Sequence, residues 1–434
     1  MISAPVVIIG GGIVGLTLAQ ALKQASIPFE IYERDTALET EKGGGWAITI
    51  HWALNALEQS LPPNLFKQLE NIQVDPEQGV RDTGRFLFLN LATALPKYEI
   101  PPSKRMRVNR KLLRQLLAEG IDIKFGKSLV GFDALGDGDT ATVHFEDGTT
   151  TTGALVVACD GANSRMRHLL FPEASATADL QPLPVKCMGV TIRMTEDQVI
   201  PLREIDPLLF QGVHPDSGKY MWYSTVSTPP INGSEHTTEP FYEGQIIMSW
   251  RRFSPEDDIP NTDEKRRQMM CRMASNFEQR LKTAVHSIPE GTKVTALNLA
   301  DWPTRPWPNH NGRVTLAGDA AHAMTMYRGE AFNHGITDAA NLAKQLISGW
   351  SQSGNGTLQK AVETYEKEVL ERTHDAVLLS RQACLDAHDY HNLHADSPLV
   401  SKRAKVLAPA KAVVGNDDAI LPEGELKSDA PKQG

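Results

Sequence analysis

The stretch Val6-Val7-Ile8-Ile9-Gly10-Gly11-Gly12-Ile13-Val14-Gly15 decides how this 434-residue chain is read. Four apolar, mostly β-branched residues run straight into a glycine turn, and the spacing beyond it predicts a helix over Leu16–Lys23. A second apolar run, Phe29-Glu30-Ile31-Tyr32, ends at Glu33. Each part has a physical task in holding a dinucleotide. Gly10 permits the tight turn, Gly12 lets the backbone approach a pyrophosphate, and Gly15 lets the helix pack close to the strand. The helix start turns unpaired N–H groups and partial positive charge toward the phosphates. Glu33 stands where a carboxylate accepts hydrogen bonds from the adenosine ribose. The expected ligand is FAD or NAD.

Two later turns narrow the choice. The strand-like run Ala154-Leu155-Val156-Val157-Ala158-Cys159 ends in Asp160-Gly161-Ala162-Asn163-Ser164-Arg165. The run Arg313-Val314-Thr315-Leu316-Ala317 ends in Gly318-Asp319-Ala320-Ala321-His322, with a helical stretch expected over Asn333–Leu346. Strand, acidic–glycine turn and helix together put a carboxylate and free N–H groups at the carboxyl edge of a sheet, where ligands bind in open α/β folds. One such turn is ordinary; three in one chain point to a long ligand with phosphates and hydroxyls.

These three motifs, in this order, resemble the class A flavoprotein monooxygenases, the family of p-hydroxybenzoate and salicylate hydroxylases. The resemblance covers about residues 5–395. Gly312-Arg313-Val314-Thr315-Leu316-Ala317-Gly318-Asp319 and Tyr327-Arg328-Gly329-Glu330 look most like its fungal branch, which modifies secondary metabolites. The fold this implies is α/β (α+β). It has a Rossmann-like FAD-binding domain, an inserted, mostly antiparallel β-sheet substrate domain, and a C-terminal helical segment. The resemblance implies that Gly10, Gly12, Gly15 and Glu33 hold the ADP part of FAD, with Arg34 beside the adenosine. Arg110, in Asn109-Arg110-Lys111-Leu112-Leu113-Arg114, would contact the FAD backbone. Asp160 would serve both FAD and NAD(P)H, and Gly318 with Asp319 the ribityl chain. Gly45 and Ala47, at the end of the Gly43-Gly44-Gly45 run, join the cofactor set. Backbone N–H groups at Ala331 and Phe332 would face the flavin pyrimidine edge.

The loop Ala323–Gly335 departs from the family pattern. Alanine and glutamate stand where glycine and glutamine are usual, and Tyr327 and Arg328 bring bulk and charge where proline and glycine are usual. The expectation is an altered oxygen pocket.

The activity implied is oxygenation. NAD(P)H, as co-substrate, reduces FAD, O₂ adds to the reduced ring, and a C4a-hydroperoxyflavin gives one oxygen atom to an aromatic, phenolic, polyketide or indole-type metabolite. Epoxidation, Baeyer–Villiger insertion and a flavin dehydrogenase or oxidase remain alternatives. The W-x-W-x-I-P signature of flavin halogenases is absent. Arg193 and Tyr223 are the candidate catalytic residues, drawn from two strands of the inserted sheet and suited to holding a phenolate. Thr262–His286 is read as one helix whose Met269, Met270 and Met273 pack in the core.

Bulk properties agree. A formal net charge of −9, with no basic run, argues against nucleic acid. Hydrophobic residues make up 41% and charged residues 22%, as in ordinary globular enzymes. Cys159, Cys187, Cys271 and Cys384 are widely separated and read as reduced thiols of a cytoplasmic protein. No signal peptide, membrane anchor or apolar stretch of spanning length is expected. The partner is a small, aromatic substrate, and the chain is expected to be a monomer or homodimer. The FAD domain is read as residues 1–70, 103–172 and 292–348. The substrate domain is read as 71–102 and 173–291, the helical segment as 357–410 beginning after Gly354, and 414–434 as a disordered tail.

Overall fold

The computed structural model describes residues 4–38, 45–134, 139–350 and 355–401. Gly43, Gly44 and Gly354, residues 402–410 of the helical segment and the expected tail over 414–434 lie outside the described residues.

Five strands form a parallel sheet in the order Val314–Leu316, Leu155–Ala158, Val6–Ile9, Phe29–Tyr32 and Ile123–Lys124. The central strands are buried on both faces, which is why they read as unbroken apolar runs rather than alternating ones. Ile9 pairs with Ala158 and Ala158 with Leu316, so the three motif-bearing strands are neighbours in register. Their turns therefore emerge side by side at one edge. The helices Ile13–Gln24 and Ala331–Trp350 cover this sheet, and they touch closely at Val14. A Cβ on Gly318 or Gly335 would lie 2.9 or 2.6 Å from Val14 Cγ2.

A seven-stranded sheet runs Thr295–Asp301, Gln181–Met194, Tyr242–Arg251, Tyr220–Ser227, Leu209–Val213, Phe86–Asn90 and Leu95–Ile100. Its pairs are antiparallel except Leu209–Val213 with Phe86–Asn90. Side chains alternate between its faces. Met188, Val190, Ile192, Met221, Tyr223, Ile246 and Met248 share a core with Met270, Leu281 and Val285 from the helices behind it. Phe88, Val185, Leu209, Val213 and Tyr220 face the other way, toward Tyr327, Ala383 and Cys384. The long helix Asn355–Asp386 joins the two halves, because Val362, Tyr365 and Val369 pack in the core of the parallel sheet.

The single helix expected over Thr262–His286 is two, Asp263–Met273 and Gln279–His286. Glu278 ends the intervening turn by accepting the Arg280 N–H at 2.9 Å, while its own N–H donates to Leu91 O. Local capping thus overrides a continuous helical pattern. The methionines remain core: Met270 is buried and Met269 and Met273 pack against the same cluster. Among the described residues no helix is long and apolar enough to cross a membrane.

Candidate active site

The glycine turn is forced by its neighbours. At Gly10 φ is +112°, and a Cβ there would lie 2.3 Å from Cys159 O; one on Gly15 would lie 2.1 Å from Gly10 O. Gly12 differs, since a Cβ would meet nothing within 4 Å, so its backbone faces open space. That open approach is what a pyrophosphate needs. Glu33 is buried and holds the turn itself: Oε2 accepts the Gly11 N–H at 2.7 Å and Oε1 the Asp35 N–H at 2.9 Å. Arg34, beside it, is exposed.

The other two turns supply acceptors without protein donors. Asp160 Oδ2 accepts the Met166 N–H at 3.1 Å, but buried Oδ1 has no partner among the described residues. Burial raises this carboxyl above its ordinary range. Asp319 opens into the cleft, and among the described residues nothing donates a hydrogen bond to its carboxylate. The surrounding protein raises its pKa against the pull of His322, Arg110 and Arg167. Acceptors in want of donors fit the hydroxyls of a dinucleotide. Arg110, exposed and near enough to Asp319 to pull its pKa down, starts the helix Arg110–Leu117, whose Lys111 and Leu112 N–H groups donate to Asn109 Oδ1.

A buried ionic cluster sets the Gly318–Asp319 turn. Gly318, at φ +64°, donates its N–H to Asp338 Oδ2 at 2.7 Å. His322 Nε2 lies 2.6 Å from the same oxygen, and Arg372 Nη2 donates to Oδ1 at 2.6 Å. Burial pushes the Asp338 carboxyl up, but His322 and Arg372 outweigh it and hold the pKa well below the usual range.

A groove of about 760 Å³ runs past Gly45, Arg110, Arg114 and Thr191. It adjoins a cavity of about 240 Å³, and the two share Trp46 and Gln245. The ribbon Ala47–Ile50 paired with Met106–Asn109 makes one wall of the cavity, giving Ala47, Thr49 and Arg107. The seven-stranded sheet gives Phe86, Leu209, Trp222 and Ile247, and the loop after Asp319 gives Met324, Met326, Gly329, Ala331 and Phe332. Ala331 and Phe332 begin a 20-residue helix, so its first N–H groups open on this cavity. A larger groove of about 1280 Å³ lies against the helices Ile13–Gln24 and Leu54–Ser60.

The structure does not bring Arg193 and Tyr223 together. Tyr223 is buried on the opposite face of the sheet, stacked on Phe210 with ring centroids 5.3 Å apart. Its neighbour Trp222 faces the cavity, a one-residue difference that alternation along a strand makes decisive. Arg193 lies toward the open end of its strand, exposed, with its guanidinium 4.3 Å from the Phe241 ring centroid. The bulky and charged residues of the altered loop, Tyr327, Arg328 and Glu330, do not line the cavity. Tyr327 is buried and donates to Ser249 Oγ at 2.8 Å. Arg328 Nε donates to Glu330 Oε2 at 2.8 Å, so the two unusual charges neutralise each other away from the opening. Sequence reading missed Arg105 and Arg107, both on the cavity wall. The signal was the alternation Arg105-Met106-Arg107 ahead of Asn109, which puts two guanidinium groups on one face of an extended segment.

Three ligand-ready turns on a parallel sheet, with a small cavity under a mostly antiparallel sheet, define a flavin-dependent oxidoreductase. The family model described as FAD binding domain matches residues 89–380, and the chain belongs to that family, as an FAD-dependent monooxygenase. It is 52% identical to the FAD-dependent monooxygenase dbaB of Emericella nidulans over 409 residues, 94% of this chain and 95% of that one. To the FAD-dependent monooxygenase cctM of Talaromyces islandicus it is 33% identical over 402 residues, 92% of this chain and 96% of that one. In fold it is similar to 2,6-dihydroxypyridine-3-hydroxylase from Arthrobacter nicotinovorans, with TM-score 0.71 at 17% identity over 94% of this chain and 99% of that one. Klebsiella pneumoniae HpxO, solved with FAD and uric acid, has TM-score 0.66 at 19% identity over 90% of each chain.

Proposed function

We propose that the enzyme hydroxylates a small aromatic, phenolic metabolite, taking electrons from NAD(P)H and one oxygen atom from O₂. The observation that carries this reading is the cavity of about 240 Å³, lined mainly by apolar side chains and set against the start of the helix Ala331–Trp350. Its size suits a compact ring system rather than a chain polymer. FAD, when bound, supplies the redox chemistry and the activation of oxygen.

The roles we assign follow the geometry. Gly10, Gly12 and Gly15 leave the backbone open to the pyrophosphate, and Glu33 holds that turn while Arg34 borders the adenosine side. Arg110 and Asp160 bracket the middle of the cofactor, and Asp319, set by the Gly318 turn, accepts from the ribityl hydroxyls. Gly45, Ala47, Ala331 and Phe332 border the ring. The N–H groups at Ala331 and Phe332 stabilise negative charge that develops there. Phe86, Leu209, Trp222 and Ile247 exclude water, which protects reactive oxygen species from wasteful decay. The groove past Arg110 leaves a route for the nicotinamide donor. We further assign residues 1–70, 103–172 and 292–348 to the cofactor half and 71–102 with 173–291 to the substrate half.

The test is NADPH and NADH oxidation by the FAD-loaded protein, with oxygen uptake, across a panel of phenols and polyketide aromatics. Oxidation stimulated by at least one ring compound is expected. Bound FAD with no nicotinamide oxidation under any ligand would overturn the reading in favour of a dehydrogenase or oxidase.

A further inference from the structure

Two arginines line the cavity, and the protein treats them differently. Arg105 is neutralised: Nε donates to Asp82 Oδ2 at 2.7 Å and Nη2 to Asp82 Oδ1 at 3.0 Å. Arg107 is not. Its side chain is 3% exposed, and among the described residues no carboxylate lies within ion-pair distance of it. Nη1 donates to Thr49 Oγ1 at 2.8 Å and Nε makes a long contact of 3.4 Å to Thr225 O. Nη2 is buried and meets no protein acceptor. The guanidinium carbon lies 6.0 Å from the Trp222 ring centroid, so the cation stands beside one of the aromatic planes of the cavity wall.

Taking a guanidinium out of water is costly unless an anion compensates it. Burial and the nearby Arg105 push its pKa down to about 9, with Asp206 opposing, so Arg107 stays a cation at neutral pH. Asp206 does not supply the missing partner. Its Oδ1 accepts the Leu208 and Leu209 N–H groups, and Arg85 lies 3.9 Å from its Oδ2. His51 and the Arg105–Asp82 pair complete the titratable groups around the cavity. What remains is a positive charge on the cavity wall with one buried donor that no protein group accepts.

We propose that Arg107 is the anion-holding residue of the cavity, and that the substrate carries an ionisable oxygen on its aromatic ring which Arg107 binds as the anion. This rests on reading the cavity as the oxygenation site. The oxygen belongs to a phenolate or an aryl carboxylate; a phenol releases its O–H proton to solvent on entry. A phenolate oxygen also raises electron density on the ring carbon that receives oxygen, so the residue that binds the substrate also activates it. Arg107 thereby takes the task that sequence reading gave to Arg193 and Tyr223.

The experiment uses the FAD-loaded enzyme and three probes: 4-nitrophenol, benzoate and the non-ionisable 4-nitroanisole, each titrated by the change in flavin absorbance. The wild type should bind one of the two anions at least tenfold more tightly than the anisole, and which one distinguishes phenolate from carboxylate. If the phenol is preferred, its visible phenolate band should show an apparent pKa at least one unit below that of the free probe. In Arg107→Met with normal FAD content, both the preference and the shift should vanish, and Arg107→Lys should restore part of each. Wild type that binds neither anion more tightly than the anisole, or Arg107→Met that keeps the preference, overturns the proposal. If Arg107→Met does not fold, the wild-type comparison and Arg107→Lys decide it. Ligand-stimulated NAD(P)H oxidation without anion preference would sink this assignment alone. Its absence with every ring compound would sink the oxygenase reading beneath it.

Discussion

Asp338→Asn keeps the shape of a fully buried side chain while removing the charge that organises the Gly318–Asp319 turn. The carboxylate receives the Gly318 N–H at 2.7 Å and Arg372 at 2.6 Å, and lies 2.6 Å from His322 Nε2. An amide offers one acceptor oxygen to these partners and turns N–H donors toward groups that themselves donate. Breaking a buried ion pair in this way costs about 3–5 kcal/mol. For a chain of 434 residues, an unfolding entropy of about 0.9 kcal/mol/K converts this to a loss of about 3–6 °C in Tm. Because His322 and Arg372 hold the Asp338 pKa below its unfolded value, the wild type has this advantage at neutral pH. It should lose it as pH falls below about 4, so the gap between the two proteins narrows in acid. FAD affinity should fall as well, since Asp319 is set by that turn. Scanning calorimetry with flavin-fluorescence titration checks both. A variant that melts within about 1 °C of the wild type and binds FAD equally well would refute the role of the cluster.

Three further outcomes are expected. Gly15→Ala, whose Cβ would lie 2.1 Å from Gly10 O, should push the helix off the strand and leave protein without the flavin absorbance band; normal FAD content would show that the turn can relax. Asp319→Ala should purify largely as apoprotein with little change in far-ultraviolet dichroism, and full occupancy would remove Asp319 from the cofactor site. Glu366 accepts from Trp307 Nε1, Asn309 Nδ2 and Thr315 Oγ1, yet burial raises its pKa to about 7. A raised carboxyl stabilises the fold when protonated, so wild-type stability should decline by about 3 kcal/mol as pH rises from about 4.5 to 7. Glu366→Gln should flatten that slope in denaturant titrations at the two pH values, and an unchanged slope would exclude Glu366 as its source.

The cofactor half was legible because each of its motifs is local. A glycine that must meet Cys159 O or leave room for a pyrophosphate is written in a few consecutive residues, and the two later acidic turns repeat the logic. The substrate half was less so. Tyr220–Ser227 is buried on both faces, so its sequence carries no alternation to say whether Trp222 or Tyr223 faces the cavity. Arg107 sits on a four-residue strand whose partner, Ala47–Ile50, is far away in sequence, and only that pairing puts it on the cavity wall. Tyr327, Arg328 and Glu330 read only as departures from the family pattern while taken singly. Their partners are Ser249 and each other, and a buried pair two residues apart escapes a reading that compares one position at a time.

Incorporation of oxygen from ¹⁸O₂ tests the central claim most directly. With FAD-loaded enzyme, NAD(P)H and a phenol that stimulates its oxidation, the product should carry one ¹⁸O atom in the new hydroxyl group, and none when the label is supplied as H₂¹⁸O. Product labelled from water, or nicotinamide oxidation that yields only hydrogen peroxide with every ring compound, would contradict a monooxygenase built around this cavity.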